Sequence, residues 1–416
     1  MPLKLNVNGI WKDMSTATPG GVHINVGGAW KVASEGWINI NGVWKKIWPE
    51  SSGGATGTYY SADSYGMTIV SNGSYYLIGG TFKVGGSSYA FAKSKSTFNP
   101  TYIVLHQENA PVSTGVWCTW SMDAITWYYE EVNHTNWEFY GARLFGQYTL
   151  NDPVTVPNCC TSLVWNGTVW VAGGWSDGGY NSLAVSYDGT TWTPKGSFLE
   201  RVNGVGWNVN KWAIVGYDSR VIPPNTSAVK IYYSNDANAN SWYGGVNPFS
   251  DIGYYIVGNG AQWVCTGRDT GLDYKLKTSN THDSWVTRYD SDSSIGCPVW
   301  DLLNLRWLGG SGSNILYDGG IKSSDGVTWS LIGMGSRYFE GREFVINSSK
   351  YLYLGRKLDP LQPLGGTSKL IIANRNNVDS SWTTLYEFPT NIGLGVGHAR
   401  HFATNNFNMT AQINMD

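Results

Sequence analysis

The sequence predicts an all-β protein, a β-propeller of about seven blades that is closed by strands from both ends of the chain and preceded by a small Trp-rich β-hairpin module. Two kinds of internal repeat and an unusual composition predict it. The 416 residues include 52 Gly, 22 Trp and 26 Tyr, and only 14% are charged, against about 25% in ordinary globular proteins. Short strands joined by tight turns need this composition, and no stretch has the apolar spacing of a long amphipathic helix.

The first repeat occupies residues 1–48 and occurs three times. Each copy alternates apolar and polar residues, turns at Asn-Gly or Gly-Gly and resumes with Trp-Lys; the copies are Leu5–Lys12, Ile24–Lys31 and Ile38–Lys45. Two-residue turns of this kind join hairpin strands, because both central positions need positive φ. Three hairpins packed through their indoles would form a small core. Residues 49–57 are rich in Gly and Ser and predict a flexible linker, so that the propeller covers residues 58–416.

The second repeat consists of two phrases separated by a variable loop. The first phrase, Gly167-Thr-Val-Trp-Val-Ala-Gly-Gly174, has the pattern of a buried strand after a turn, and the second is Ser186-Tyr-Asp-Gly-Thr-Thr-Trp192. Six copies of the second phrase end at Trp127, Trp192, Trp242, Trp285, Trp329 and Trp382. Their spacing of 43 to 65 residues fits four-stranded blades.

Six blades follow from these copies, and the chain ends predict the seventh. Residues 59–63 look like a second phrase without a first one, and residues 405–410 look like a first phrase without a second one. One blade built from both ends would leave no open sheet edge. Between residues 80 and 150 the pattern blurs, so six, seven or eight blades remain open.

The second phrase predicts a turn and no chemistry. A Ser or Asp side chain can close such a turn on the backbone, Gly takes the left-handed position, and Trp packs against the next blade. Asp123, Asp188 and Asp325 are therefore predicted to be turn formers. The phrase resembles the Asp-box, or bacterial neuraminidase repeat, of sialidase-like propellers, although it is one residue shorter. That resemblance implies a structural turn between the third and fourth strands of each blade.

No catalytic set is recognisable, and we expect a protein that is not an enzyme. The resemblance to sialidases would imply a Phe/Tyr-Arg-Ile-Pro signature early in the propeller, but the only near match, Arg220-Val-Ile-Pro223, lies mid-chain and has an extra residue. The nucleophile elbow and the phosphate loop are both missing from the sequence. The six His are scattered and the five Cys are predicted to be reduced thiols, so we expect no metal and no cofactor. Paired carboxylates for glycoside hydrolysis remain open, with candidates Asp177, Asp218, Asp269, Asp273 and Asp359.

The loops between the two phrases are the predicted ligand site. If the first phrase is the second strand of a blade and the second phrase ends the third strand, these loops lie on the face opposite the Asp-box turns. Loops on a rigid scaffold commonly carry function. They combine aromatic residues with Arg and Asp, the residue types that stack on sugar faces and bind hydroxyls. The candidate binding residues are Trp175, Asp177, Tyr180, Tyr217, Arg220, Arg268, Asp273, Tyr274, Arg356 and Asp359.

The N-terminal triplet resembles a short repeat of bacteriophage tail-associated proteins, and sialidase-like repeats also occur on phage receptor-binding proteins. These resemblances imply a virion tail protein that docks to other tail or baseplate proteins through residues 1–48 and binds a host-surface polysaccharide through its propeller. The alternatives are a structural or decoration component of the virion and a polysaccharide-degrading glycosidase. A net charge of −2 and apolar runs no longer than a strand argue against nucleic acid and membrane insertion. The start of the chain lacks the apolar region of a signal peptide, which suits assembly in the host cytoplasm; a homo-oligomer remains open.

Overall fold

The structure is a computed structural model, and its chain divides into two compact units, Met1–Gly53 and Gly54–Asp416. The division lies within the segment 49–57 that the sequence marks as a linker. The structure describes residues 4–7, 10–13, 23–26, 29–32, 36–40, 43–48, 59–108, 116–132, 135–149, 155–176, 180–218, 231–270, 273–291, 295–310, 320–332, 339–346, 350–359, 362–374, 378–379, 382–387 and 397–404.

The N-terminal unit consists of three antiparallel hairpins, as the first repeat predicts. They are β1 (Lys4–Val7) with β2 (Ile10–Asp13), β3 (His23–Val26) with β4 (Ala29–Val32), and β5 (Gly36–Ile40) with β6 (Val43–Trp48). In each hairpin two residues separate the paired strands, and the cross-strand pairs are equivalent in all three: Asn6 opposite Trp11, Asn25 opposite Trp30, and Asn39 opposite Trp44. The predicted indole core concerns side chains that lie outside the described part of the structure.

The described residues of the second unit form seven four-stranded antiparallel sheets and one further hairpin, which confirms the all-β class and gives a propeller-like arrangement. Sheet 1 contains β7 (Tyr59–Ser71), β8 (Tyr76–Val84), β9 (Ser87–Ser94) and β13 (Trp137–Ala142), and sheet 2 contains β36 (Gly397–Thr404), β10 (Tyr102–Glu108), β11 (Trp117–Ser121) and β12 (Tyr128–Glu131). The further hairpin is β14 (Gln147–Thr149) with β15 (Thr155–Pro157).

The other five sheets each use four consecutive strands. Sheet 3 contains β16 (Cys160–Trp165), β17 (Trp170–Gly174), β18 (Leu183–Ser186) and β19 (Thr193–Gly196); sheet 4 contains β20 (Arg201–Asn208), β21 (Lys211–Tyr217), β22 (Ile231–Ser234) and β23 (Tyr243–Gly244); sheet 5 contains β24 (Ile252–Gly258), β25 (Trp263–Asp269), β26 (Asp273–Ser279) and β27 (Val286–Ser291). Sheet 6 contains β28 (Val299–Asp301), β29 (Arg306–Gly310), β30 (Gly320–Ser323) and β31 (Ser330–Ile332), and sheet 7 contains β32 (Phe339–Ile346), β33 (Lys350–Asp359), β34 (Gln362–Asn374) and β35 (Thr383–Glu387).

The two phrases occupy the strand positions that the sequence predicts. The first phrase forms the second strand of sheets 1 and 3 to 7, namely β8, β17, β21, β25, β29 and β33. The Ser of the second phrase ends the third strand, as Ser186 does in β18, Ser234 in β22 and Ser323 in β30. The loops between the phrases therefore join strands two and three. The turns formed by the second phrase, which we call Asp-box turns after the repeat that they resemble, join strands three and four.

The Asp-box turn is closed by its own side chains, which confirms the predicted role of its Asp residues. In sheet 3, Oδ1 of Asp188 accepts hydrogen bonds from the next two backbone N–H groups after Gly189, at 2.8 and 2.7 Å. Gly189 has φ +70°, a left-handed conformation that suits glycine, and its N–H donates to Oγ of Ser186 at 2.9 Å. Asp123 and Asp325 accept equivalent bonds in sheets 2 and 6.

In two of the boxes, the closing Trp stacks on an aromatic residue of a neighbouring sheet. Trp192 of sheet 3 stacks on Phe91 of sheet 1, with ring centroids 3.9 Å apart and planes 13° apart, while its Nε1 donates to the carbonyl of Gly189 at 3.3 Å. Trp127 of sheet 2 stacks on Tyr386 of sheet 7 at 4.7 Å. The box therefore holds the Trp indole in place as a wedge between two neighbouring sheets.

Buried apolar side chains form clusters between the sheets, and each cluster draws its members from two of them. Sheets 1 and 2 meet around Phe82 and Leu105, sheets 1 and 3 around Phe91 and Trp170, and sheets 7 and 2 around Val104. Four further clusters join sheets 3 and 4, 4 and 5, 5 and 6, and 6 and 7. Each sheet is thus buried on both faces by its neighbours.

The chain ends are arranged differently from the prediction. Residues 59–63, expected to be a second phrase, instead begin the long first strand β7 of sheet 1. The C-terminal strand β36 is the first strand of sheet 2, where it pairs with β10 and contacts β7 and β32 on the sheets to either side; residues 405–410 lie outside the described residues. The segment β10 to β12 interrupts sheet 1, because β9 pairs with β13 and not with the strand that follows it. The Gly73–Gly79 and Ser121–Trp127 phrases consequently belong to different sheets.

Replacing Trp192 by Ala should lower the free energy of unfolding by roughly 2–4 kcal/mol, since a half-buried indole and its stack on Phe91 are lost. Thermal denaturation followed by circular dichroism measures the change. Tyr187→Ala is the matched control, because Tyr187 lies in the same box and is 59% exposed. Equal melting temperatures for the two variants would contradict the role of the Trp as a wedge.

A buried histidine makes the stability of the second unit depend on pH. His106 in β10 is buried, its Nε2 lies 2.7 Å from Oγ1 of Thr119, and burial lowers its pKa from 6.5 to about 3. Between these two values the unfolded chain binds the proton and the folded chain does not, so acidification favours unfolding.

The free energy of unfolding should therefore fall as the pH drops below 6.5, with His106 contributing on the order of 1 kcal/mol between pH 7 and 5.5. In His106→Gln, which keeps a polar group near Thr119, the decline should be shallower by that amount. Urea denaturation at several pH values measures both slopes. Parallel slopes in the two proteins would show that His106 is protonated in the folded state as well.

Candidate functional site

The two ends of the sheets have different chemistry. At one end lie the Asp-box turns, whose carboxylates are engaged by backbone N–H groups of the turn itself. The opposite end carries the loops that join strands two and three, together with the connections from sheet 3 to sheet 4 and from sheet 4 to sheet 5. Because consecutive strands are antiparallel, the ends of β17, β21 and β25 and the beginnings of β20, β24 and β26 all lie at this second end, which we call the loop face.

Three side chains meet on the loop face where sheets 3 and 4 adjoin. Trp175, just after β17, forms an antiparallel bridge with Arg201, the first residue of β20. The guanidinium carbon of Arg201 lies 5.1 Å from the centre of the Trp175 ring, a cation–π contact. Tyr217, at the end of β21, is the cross-strand partner of Arg201. All three are partly exposed.

Sheet 5 continues this arrangement with a second arginine between two tyrosines. Arg268 ends β25 opposite Tyr274 of β26, and the ring of Tyr274 lies nearly parallel to that of Tyr254, at 6.2 Å and 19°. Nε and Nη2 of Arg268 donate to Oδ2 of Asp251, at 2.7 and 2.6 Å. Partial burial lowers the pKa of the Arg268 guanidinium, but the interactions with Asp251, Tyr254 and Tyr274 together outweigh it and raise the pKa overall.

The group around Arg201 and the group around Arg268 also interact electrostatically. Burial raises the pKa of Tyr254, and the positive charges of both Arg268 and Arg201 act to lower it, so the tyrosine hydroxyl lies within the field of both arginines. These side chains come from three consecutive sheets, 3, 4 and 5. We call them the aromatic–arginine row, and its members are Trp175, Arg201, Tyr217, Tyr254, Arg268 and Tyr274.

Beside the row, sheet 5 carries a compact ionic group. Lys275 lies 2.8 Å from a carboxylate oxygen of Asp273 and 3.8 Å from one of Asp290, and Lys277 lies 3.1 Å from Asp269. Burial tends to raise the pKa of Asp269, but the hydrogen bonds from Ser250 and Lys277 lower it overall. All three carboxylates thus lie within ion-pair distance of a lysine.

The structure brings together four of the ten predicted binding residues, Trp175, Tyr217, Arg268 and Tyr274, in the row. Asp273 belongs to the ionic group, and Tyr180 is exposed on the loop after β17. Asp177 and Arg220 lie outside the described residues. Arg356 and Asp359 are placed in β33 of sheet 7, and their side chains are likewise not among those described. Sheet 7 packs on sheets 6 and 2, which contribute nothing to the row.

Sequence reasoning missed Arg201, Tyr254 and Asp251. These residues stand at or near the beginning of a first strand, where neither phrase of the repeat occurs. The available signal was geometric, since in an antiparallel four-stranded sheet the beginning of the first strand lies at the same end as the loop between strands two and three. The candidate set should therefore have included the connections between blades.

Two other kinds of site can be assessed within the described part of the chain. No group of three or more His, Cys, Asp or Glu side chains there is placed to hold a metal ion. Nor does any helix in it have the length and hydrophobicity that crossing a membrane requires.

Comparison with known proteins gives distant likenesses. No protein-family model and no curated protein matches the chain. Among solved structures it is similar to an ancestral GH74 enzyme (16% identity, TM-score 0.41, 62% of this chain and 32% of that one) and to hydrazine synthase of Kuenenia stuttgartiensis (10% identity, TM-score 0.38, 51% and 62%). A chain of the mitotic checkpoint complex is a third (11% identity, TM-score 0.39, 82% and 86%). The chain spans about a third of the GH74 enzyme, and at these TM-scores the likenesses bear on neither fold nor function.

Proposed function

We propose that the seven sheets of the second unit are the blades of a closed propeller, in which the C-terminal strand completes the blade formed by β10 to β12. Three features support this. Every sheet has four antiparallel strands. Each buried cluster joins two sheets, and following the clusters from sheet 1 leads through sheets 3 to 7 and back through sheet 2. Strand β36 contacts both β32 and β7.

We further propose that the protein is a bacteriophage tail-fibre or receptor-binding protein whose propeller recognises a host-surface glycan without cleaving it. The aromatic–arginine row is the observation that carries this proposal. Partly exposed rings at successive positions offer apolar faces on which sugar rings can stack, and the guanidinium and hydroxyl groups between them can hydrogen-bond sugar hydroxyls. Such a mixture of aromatic surface with a few fixed polar groups is typical of ligand sites.

The N-terminal hairpins support a docking role for the first unit. Their equivalent register gives three repeats of one structural unit in 48 residues, and the repeat resembles one found in tail-associated phage proteins. A module of this kind is suited to attachment to other tail or baseplate proteins, with recognition left to the second unit. The proposed location is therefore the tail of the virion.

The carboxylates of the loop face favour binding over hydrolysis. A glycosidase needs one carboxylic acid that stays protonated near neutral pH and a second carboxylate nearby. Asp251, Asp269 and Asp273 each lie within ion-pair distance of an Arg or Lys. Burial tends to raise the pKa of Asp269, but hydrogen bonds from Ser250 and Lys277 lower it overall, so Asp269 is not suited to donate a proton to a leaving sugar.

Tyr254→Ala in the full chain should weaken binding to host cells or their purified surface polysaccharide about tenfold, because truncating a central aromatic contact costs about 1–2 kcal/mol. Biolayer interferometry on immobilised polysaccharide measures the affinity. The control is Tyr187→Ala, an exposed tyrosine in an Asp-box turn at the opposite end of the sheets. If the wild-type chain binds neither cells nor polysaccharide while intact virions adsorb normally, the chain is a structural component instead.

Prolonged incubation of the full chain with the polysaccharide it binds should leave the size of that polysaccharide unchanged. Size-exclusion chromatography before and after incubation measures this. A shift to shorter chains that persists in Tyr187→Ala and disappears in Asp269→Asn or Asp273→Asn would identify a glycosidase and contradict the proposal.

A further inference from the structure

The arginines of the aromatic–arginine row are already engaged in contacts with neighbouring side chains. Arg268 donates through two of its nitrogens to one oxygen of Asp251, and its charge is also stabilised by Tyr254 and Tyr274. The exposed fraction of the two paired side chains is 27% each, so the pair is partly shielded from water. Breaking it would leave the carboxylate of Asp251 facing any incoming group.

Arg201 is also occupied, because its guanidinium lies over the indole of Trp175. Beyond it, the two lysines of sheet 5 at this end are held by Asp269 and Asp273. Within the described residues around the row, the four basic groups Arg201, Arg268, Lys275 and Lys277 are equalled in number by the four carboxylates of Asp251, Asp269, Asp273 and Asp290. These groups together therefore provide no excess of positive charge that would attract anionic ligands.

We infer that the row binds a neutral polysaccharide, and that Asp251 determines this specificity by neutralising Arg268. This inference rests on the proposed glycan-binding function and names its ligand class. A uronate or other acidic sugar would have to displace Asp251 from Arg268 and would then meet an uncompensated carboxylate, an arrangement that disfavours the acidic ligand. A neutral sugar can stack on Tyr254, Tyr274 or Trp175 and accept hydrogen bonds from guanidinium N–H groups that are not directed at Asp251, with every ion pair intact.

The test compares neutral and acidic polysaccharides on the full-length protein. The neutral probes are a glucan, a galactan and a mannan, and the acidic probes are polygalacturonate and hyaluronate, each measured by biolayer interferometry at 50 and 500 mM NaCl. We expect binding to at least one neutral probe, with an affinity that changes less than about twofold with salt, because no net charge is neutralised on binding. Acidic probes should bind at least tenfold more weakly.

Asp251→Asn should reverse this preference. The amide retains the size of the side chain but frees the charge of Arg268, so binding of the acidic probes should rise at least tenfold at 50 mM NaCl and fall again at 500 mM NaCl. Affinity for the neutral probe should stay within about threefold. Asp290→Asn is the matched control, since this carboxylate is largely exposed and pairs with Lys275 outside the row; it should leave both classes of ligand unchanged.

The outcomes separate the two levels of the proposal. If the wild-type chain binds an acidic probe more tightly, in a salt-sensitive way that Tyr254→Ala abolishes, glycan binding by the row stands and the inference of neutral specificity is overturned. If no probe and no host polysaccharide binds, the proposed function fails and the inference with it. Should Asp251→Asn not fold, the salt dependence of the wild-type chain alone still decides the inference.

Discussion

The fold depends on the contact between the Trp of an Asp-box and the sheet that precedes it. A four-stranded sheet of this protein has two apolar faces, and neither can be left in water at an acceptable free energy. The Asp-box helps to bury these faces with residues that are close together in sequence. Oδ1 of Asp188 holds the turn, the left-handed Gly189 reverses the chain and accepts the indole N–H, and the ring of Trp192 is thereby set flat on Phe91 of the neighbouring sheet. The same few residues therefore close the turn and orient the indole that packs between the sheets.

The same requirement explains the arrangement of the chain ends. A row of sheets that each cover the next must either expose its two terminal faces or bring them together. In the closed propeller that we propose, strand β36 brings them together, since it supplies the first strand of a sheet that packs on sheet 1 by one face and on sheet 7 by the other. The interruption of sheet 1 by β10 to β12 has a related effect. Because β13 returns to β9 after those strands, two chain connections, from β9 to β10 and from β12 to β13, link sheets 1 and 2.

How far the sequence predicts this structure depends on where turn chemistry occurs. Second strands could be predicted from the first phrase, and third strands from the second phrase at their end, because each phrase has Gly, Asp or Trp at fixed positions. Turns of this kind are determined locally. The partners of β10, β13 and β36 could not be predicted, because β10 lacks the Trp phrase and its pairing with β36 joins residues some 300 positions apart, which depends on packing of the whole unit. The site shows the same division. Trp175, Tyr217, Arg268 and Tyr274 follow recognisable second strands, whereas Arg201, Asp251 and Tyr254 become neighbours only when sheets 3, 4 and 5 are assembled.

This division bears on where recognition can reside. At the Asp-box end the carboxylates accept the hydrogen bonds that close the turns. Backbone N–H groups lower the pKa of Asp325 to about 2 and keep it ionised, with its oxygen directed at its own chain. The side chains of the loop face do not close Asp-box turns, and the aromatic–arginine row does not lie on long loops. Arg201, Tyr217, Tyr254, Arg268 and Tyr274 lie within hydrogen-bonded strands, so their backbone is already ordered before a ligand arrives and little conformational entropy is lost on binding. A row that is fixed by the scaffold, with carboxylates beside it equal in number to the basic groups, is suited to selecting a ligand by shape and stacking, and long-range electrostatic attraction contributes little.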